Sequence, residues 1–482
     1  MTTISAPYAH TTPDECLWQA FDTLRGTDDP LVCLDFVLAL LFLHSLNDQV
    51  GDRPPGAFSM PPPRGRFVVP TDSSFATLYA HRKGEGFGQR IDGALAGLAT
   101  ANPGRLSGVF TGLSFAEGPS AVSKPARERD RRLGQVVELL HGLRAGESWV
   151  GPAADRLRAR VAALNGKVGG EVYTSREVSD LLAALLGPVS GEHLCDPVCG
   201  AGDVLVALAR EGGGTAIYGQ EADVSAYRRG RLNLLLHGFD NAQLQEGEVL
   251  RTPRWLEGTT DLRQFDVVAA RLPFHAGTWG EEIADKDPFG RFHRGVPPAT
   301  KRDYAYIAHI LETTRKGHGR AAVVVTQGAL YRGGSEGRIR RQLIEDNLLD
   351  AVIGLPGDVF PGGAGPTAIL LFRKDRQTTD VLFIGHAADG ALPRLDLSQR
   401  EKVVAAYRRY EPGDSWVRRV SVETIKQNGF NLNLPRYLDA GPAEQEVDLL
   451  PILEAIDLLE AKQADLTARF KVQLRAMGVY TD

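Results

Sequence analysis

The residue types best suited to chemistry cluster in the run Asp196-Pro197-Val198-Cys199-Gly200-Ala201-Gly202-Asp203. The run ends a predicted strand, HLCDPV over 193–198, and leads into an amphipathic stretch from Val204 to Arg210. Glycines at a strand-to-helix turn let the backbone approach a ligand closely, and a helix N-terminus offers unpaired N–H groups. The spacing is not the GxGxxG dinucleotide pattern. Alone, such a turn reads equally well as a structural turn. Glu221 closes the next predicted strand, AIYGQE over 216–221, roughly twenty residues downstream, where a carboxylate can accept hydrogen bonds from ribose hydroxyls. The alternative is a solvated carboxylate at a strand end.

Three further groups fall beside that turn if the reading holds. Glu248, in QEGEVL over 245–250, follows the next helix, where an acidic side chain can meet an adenine amino group. The stretch FDVVAARLPFHAG ends a strand in Arg271-Leu272-Pro273-Phe274. Upstream, GGEVYTSREVSDLL places Tyr173, Thr174 and Ser175 just before a helix. Their hydroxyls either cap that helix, with Glu177 nearby, or hydrogen-bond a charged methionine moiety.

The elements that must position these groups follow from periodicity. From about Gly169, short β-branched strands alternate with helical stretches. Besides those already named, strands are predicted at 265–272, 321–326, 350–356 and 367–372, and helices at 225–237, 304–314 and 338–347. This is the signature of an α/β domain with a mostly parallel sheet covered on both faces. Residues 14–48 read instead as helices broken at Gly26-Thr27-Asp28-Asp29-Pro30, with a Pro/Gly-rich loop at 51–65 and further helical patches at 91–101 and 131–143. The expected division is a helical N-terminal domain at 1–150, a catalytic-type domain at 151–385, a peripheral extension at 386–440 and a C-terminal amphipathic helix at 441–482. In the last of these, Leu449, Ile452, Ile456, Leu459, Gln463, Leu466, Phe470 and Gln473 alternate steps of three and four, a heptad-like seam. It fits either packing on its own domain or a partner helix.

Composition narrows the classes. Hydrophobic residues make up 43% and charged residues 24%, the balance of a globular protein, and no apolar run is long enough to span a bilayer. The start, MTTISAPYAHTTPDE, lacks the charge and apolar pattern of a signal peptide. Cys16, Cys33, Cys195 and Cys199 form no CxxC pair, so reduced core thiols in a cytoplasmic protein are expected, with no metal site. The net charge of −5 gives no global footprint for nucleic acid, so any DNA contact must be local or made through a partner. The segment DPFGRFHRGVPPATKRD over 287–303 mixes Arg291, Arg294, Lys301 and Arg302 with Phe289 and Phe292, which suits a flexible DNA-facing loop or a solvated one.

Taken in order, these landmarks resemble the modification subunit of Type I restriction–modification systems, an adenine-N6 DNA methyltransferase. LWQAFDTLRGTDDPLVCLDFVLALLFLHSLND resembles its helical N-terminal domain, GEVYTSREV its methionine-side motif, and DPVCGAGDVL its glycine-rich turn. DYAYIAHIL, VIGLPGDVFPGGAGPTAILLF and NLNLPRYL match later landmarks in sequence. The resemblance implies a class I, Rossmann-like S-adenosylmethionine-dependent methyltransferase domain. It also implies that Tyr173, Thr174, Ser175, Asp196, Gly200, Gly202, Glu221 and Glu248 hold S-adenosylmethionine. The reaction it implies is methyl transfer to N6 of a flipped adenine. The implied partners are DNA and a specificity-type subunit or a second copy, reached through the C-terminal helix, with no membrane. In the family the tetrapeptide Asn-Pro-Pro-Phe accepts hydrogen bonds from the amino group and stacks on the base. Here it reads Arg271-Leu272-Pro273-Phe274. Arginine is donor-only and permanently charged, so it cannot accept from N6. Two expectations follow: a weakened adenine-N6 DNA methyltransferase subunit, or a non-catalytic relative acting as a cofactor-binding regulator or scaffold.

Overall fold

The structure is a computed structural model describing residues 12–25, 29–51, 67–117, 125–143, 147–164, 173–274, 277–360, 365–385, 392, 395–410, 415–438 and 449–476. The chain start and most of the Pro/Gly-rich stretch at 51–65 lie outside these residues. The first helix, α1 (Pro13–Leu24), opens on a reciprocal Thr12–Glu15 capping box with proline at its first position. In α2 (Pro30–Gly51) every residue from Cys33 to His44 is buried. A helix apolar on all sides has to be the centre of its module. Around it stand α3 (Phe75–His81), α4 (Phe87–Ala101), α5 (Pro103–Leu106), α6 (Ala126–His141) and α7 (Glu147–Leu164). The boundary expected at residue 150 cuts through α7. Val150, Leu157 and Val161 pack into the same core as Phe21, Leu40 and Phe75, so the helical module runs on to Leu164.

The second half builds one nine-stranded sheet. Its strands are β1 (His193–Asp196), β2 (Ala216–Glu221), β3 (Gln243–Glu246), β6 (Val267–Arg271), β7 (Arg320–Thr326), β8 (Leu349–Leu355), β9 (Thr367–Arg373), β10 (Val381–Ile384) and β11 (Val417–Val420). A two-stranded hairpin, β4 (Leu256–Glu257) with β5 (Asp261–Leu262), stands apart. The sheet order is β11-β10-β8-β9-β7-β6-β1-β2-β3. Strands β3, β2, β1, β6 and β7 are mutually parallel, and β9 runs antiparallel between β7 and β8.

Strands covered on both faces must be apolar on both faces, and these are. Val268 and Ala270 of β6 and Val323 of β7 pack on one side with α11 (Asp303–Thr313) and α12 (Gly334–Glu345). Val267 and Ala269 of β6 and Val324 of β7 pack on the other with α8 (Arg176–Leu186), α9 (Asp203–Gly212) and α13 (Leu397–Arg409). The expected peripheral extension is not peripheral. Strand β11 adds to the sheet edge, and Val420, Ile425 of α14 (Val422–Gln427), Phe430 and Leu434 join the main core.

Helix α10 (Val224–Leu236) ties the two halves together. Its Leu232 and Leu236 belong to the helical module's core. On α2, buried Asp35 lies 2.5 Å from Arg228 and 2.8 Å from Arg229. Residues 12–438 thus form one unit, and 439–482 a second. Within the second, α15 (Leu449–Ala476) is 28 residues long, and residues 441–448 of the expected helix lie outside the described residues. Its Ile456, Leu459, Leu466 and Phe470 are exposed. All four cysteines are buried free thiols, as expected. Among the described residues no helix is long and apolar enough to cross a membrane.

Candidate functional site

In an open α/β sheet, ligands bind outside the carboxyl ends of the strands where the strand order reverses. Here the reversal lies between β1 and β6, and a cleft of about 330 Å³ opens there. Thr174, Asp196, Gly200, Glu221, Glu248, Arg271 and Pro273 line it. Seven of the twelve residues singled out from sequence are thereby brought together.

The glycine-rich turn has the backbone its sequence demands. Gly200 sits at φ +51° with open space where a Cβ would stand. Gly202, at φ +79°, caps α9, and a Cβ there would meet the Gly230 backbone of α10 at 3.3 Å. Glu221, ending β2, is fixed from both sides. One oxygen accepts the Gly200 N–H and the other the Asp223 N–H, each at 2.8 Å. The Ala222 N–H also bonds this carboxylate, which with about four acceptor positions still has capacity for a ligand hydroxyl. Burial raises the Glu221 carboxyl above the ordinary range. Burial also pushes Asp196, which ends β1, up to about 8, and the nearby Glu221 charge adds to the shift while the Val198 N–H and Arg271 oppose it. Glu248 follows β3 and accepts from the Tyr306 hydroxyl at 3.3 Å and the Arg251 N–H at 2.8 Å.

Arg271 is the last residue of β6. Its Nε donates to the Thr174 hydroxyl at 3.4 Å, and its guanidinium lies over the rings of Phe274 and Phe360. Those rings meet edge to face with centres 5.3 Å apart. Leu272 is fully buried, and its N–H donates to the Val324 carbonyl at 3.1 Å.

The remaining expected residues sit elsewhere. Tyr173 and Ser175 line a neighbouring hollow with Asp155, Glu177 and Val359. Ser175 holds the N-cap position of α8, but its side chain makes no cap bond, and its buried Oγ has no protein partner. The segment 287–303 is not the free basic loop expected from its composition. Arg291 is 2% exposed, pairs with Asp287 at 2.8 Å and donates to the Leu250 carbonyl at 2.8 Å. Arg294 is engaged by Glu312 and Asp346. Arg302, read in sequence only as part of the basic segment, lines the cleft, and so does Tyr306, which sequence reasoning missed. Tyr306 lies within DYAYIAHIL, a stretch recognisable as a landmark but with nothing in its spacing to say that it faces a ligand.

A mostly parallel sheet in which β9 and the edge strand β11 run antiparallel, acidic residues at the ends of successive strands and a glycine turn between β1 and α9 define a class I methyltransferase domain. The comparisons agree. Residues 149–446 match the N-6 DNA methylase family model and 14–140 the HsdM N-terminal domain. The chain belongs to the N-6 DNA methylase family.

It is 25% identical over 530 aligned residues to the Type I restriction enzyme MjaIX methylase subunit of Methanocaldococcus jannaschii, covering 96% of this chain and 91% of that one. It is 29% identical over 320 residues to the MjaVII methylase subunit of the same organism, covering 62% of this chain and only 54% of that relative's length. The crystal structure of a type I restriction-modification methyltransferase subunit from Streptococcus thermophilus superposes with TM-score 0.73 at 23% identity, covering 89% of this chain and 99% of that one, a likeness of fold. The resemblance read from the motifs is borne out. Family membership implies S-adenosylmethionine as the cofactor. The cleft fits it: open backbone at Gly200, remaining acceptor capacity on Glu221 and a row of carboxylates for a ligand carrying hydroxyls, an amino group and positive charge.

Proposed function

We propose that this chain is the methyltransferase subunit of a Type I restriction–modification system that binds S-adenosylmethionine, but whose transfer to adenine is restrained by Arg271. On this reading Glu221 takes the ribose hydroxyls, Glu248 the adenine of the cofactor, and Asp196 and Thr174 the sulfonium and amino-acid side. Bound there, the cofactor would supply an electrophilic methyl group for adenine N6 and leave as its demethylated thioether, with one N6 proton released to solvent. The tetrapeptide must leave the N6 lone pair free and accept the amino protons. Arg271 can only donate, and it adds a cation beside a nitrogen that becomes positive during transfer. The observation that carries the reading is the Arg271 guanidinium lying over Phe274 while bonding Thr174, across the place where a stacked base would lie.

The same observation favours a second reading, a cofactor-binding scaffold without transfer activity. DNA would be reached through a specificity-type subunit or a second copy docked on the apolar seam of α15, whose exposed Ile456, Leu459, Leu466 and Phe470 support that role. Two measurements on one preparation test the proposal: calorimetry with S-adenosylmethionine and its demethylated product, and methyl incorporation into DNA. Binding with slow incorporation supports restraint, and binding with none supports the scaffold. Absence of binding overturns the cleft assignment, and ordinary turnover overturns both readings of Arg271.

A further inference from the structure

Asp203 is the first residue of α9, directly after the glycine turn, and its carboxylate is turned away from the cleft lining. One oxygen lies 2.6 Å from a terminal guanidinium nitrogen of Arg158, on α7 of the helical module. The other accepts the Thr174 N–H at 3.0 Å. Both charged side chains are less than a tenth exposed. Burial raises the Asp203 carboxyl, with the Arg158 charge opposing it, so the pair is one in which each ion depends on the other. Arg158 also lies 3.7 Å from Asp155 and over the Tyr173 ring. Asp155 in turn meets His237 at 3.0 Å, at the far end of α10. The helical module thus holds the segment Tyr173–Thr174 through Arg158, which lies over the Tyr173 ring and fixes the Asp203 carboxylate that accepts the Thr174 N–H.

Position along the sheet edge says which part of a ligand this affects. Glu221 ends β2 and Glu248 follows β3, so the nucleoside acceptors lie toward the β3 edge. Thr174 bonds Arg271 at the end of β6, on the other side of β1. A ligand whose nucleoside lies on Glu221 and Glu248 reaches Thr174 only with its opposite end.

Resting on the reading that the cleft takes S-adenosylmethionine, we propose that Asp203, held by Arg158, is a positioning residue for the amino-acid end of the cofactor. By fixing the Thr174 amide, it sets the direction of the Thr174 hydroxyl in the cleft. Asp203 does not touch the ligand. Its effect should therefore be confined to ligands that carry the amino-acid group.

The experiment titrates wild type, D203A, D203N and the doubly neutralised R158M/D203N with S-adenosylmethionine and with 5′-deoxy-5′-methylthioadenosine, which lacks the amino-acid portion. For D203A, affinity for S-adenosylmethionine should fall by about tenfold, the scale of one lost hydrogen bond to a charged group, while affinity for methylthioadenosine stays within about twofold. D203N should lose less, because its amide oxygen can still accept from Thr174. R158M/D203N should match D203N in binding while regaining thermal stability, since no buried guanidinium is left unpaired; it also keeps the test alive if D203A does not fold. An equal loss for both ligands, or no loss for either, overturns the positioning role with the cleft assignment intact. If the wild type binds neither ligand, the cleft assignment fails and the proposal falls with it.

Discussion

The guanidinium of Arg271 lies 5.2 Å from the centre of the Phe274 ring, and Phe360 stands 5.9 Å from the same guanidinium. A cation over a ring face is attracted by about 0.5–2 kcal/mol depending on solvation. A base entering to stack on Phe274 has to displace that contact and then finds donors where it needs acceptors.

Replacing Arg271 with Asn should therefore raise DNA methylation, by up to about 10²-fold if the acceptor is the main element missing. Adding Leu272→Pro restores the family tetrapeptide but removes the N–H that bonds Val324, so the double variant should melt lower than R271N, by about 1–3 kcal/mol in stability. Methyl incorporation and thermal melts on the three proteins check this. Robust wild-type methylation abolished by R271N would give Arg271 an active catalytic role and end the restraint argument.

Glu221→Ala removes the proposed ribose acceptor along with the anchor for the Gly200 and Asp223 amides. Affinity for S-adenosylmethionine should weaken by roughly 1.5–3 kcal/mol. Calorimetry reads this directly. Unlike Asp203, this residue should matter equally for methylthioadenosine, and an unchanged dissociation constant would remove Glu221 from the site.

Asp196 titrates at about 8 in the folded protein, against about 4 in an unfolded chain. Between those values the folded state holds a proton the unfolded state has released. Stability of the ligand-free protein should accordingly fall as pH rises across that window and level off above it. Asp196→Asn should flatten the dependence, as read by urea unfolding at several pH values. A cationic ligand favours the ionised form, so S-adenosylmethionine should bind more tightly toward pH 8 and release a proton, visible as a buffer-dependent binding enthalpy. Binding enthalpies identical in buffers of different ionisation heat would contradict this.

Changing Ile456 and Leu459 of α15 to Glu should leave the melting temperature of the chain unchanged, because both are already exposed. Light scattering should then show loss of a dimer or of a specificity-type partner. Unfolding of the variant would place the seam inside the protein's own core.

What was legible in sequence tracks how local the physics is. Asp196, Gly200 and Glu221 announced themselves because a glycine turn between a strand and a helix, with an acid at the next strand end, is a short-range pattern. The polar edge strand β3, of which only Leu244 is buried, and the four-residue β10 and β11 carry no pattern long enough to read. Arg291 misled for the opposite reason. Beside aromatic residues it resembles a nucleic-acid contact, yet besides Asp287 four residues back its partners include the carbonyls of Val249 and Leu250, some forty residues back in the chain, which no local spacing reports. The division expected at 150 falls inside α7, which contains Pro152 and little apolar periodicity, so that only the packing of Val150, Leu157 and Val161 shows that this helix joins the helical core.

Asp35 has a consequence for how the molecule comes apart. Exposing it requires separating α2 from α10, which strands two guanidiniums against an apolar core and uncovers Leu232 and Leu236. Neither half can melt first without that loss, so the helical module and the sheet share one cooperative transition. Their most protected amides, in α2 and in the central strands β6 and β7, should exchange with solvent at a common global rate rather than in two tiers.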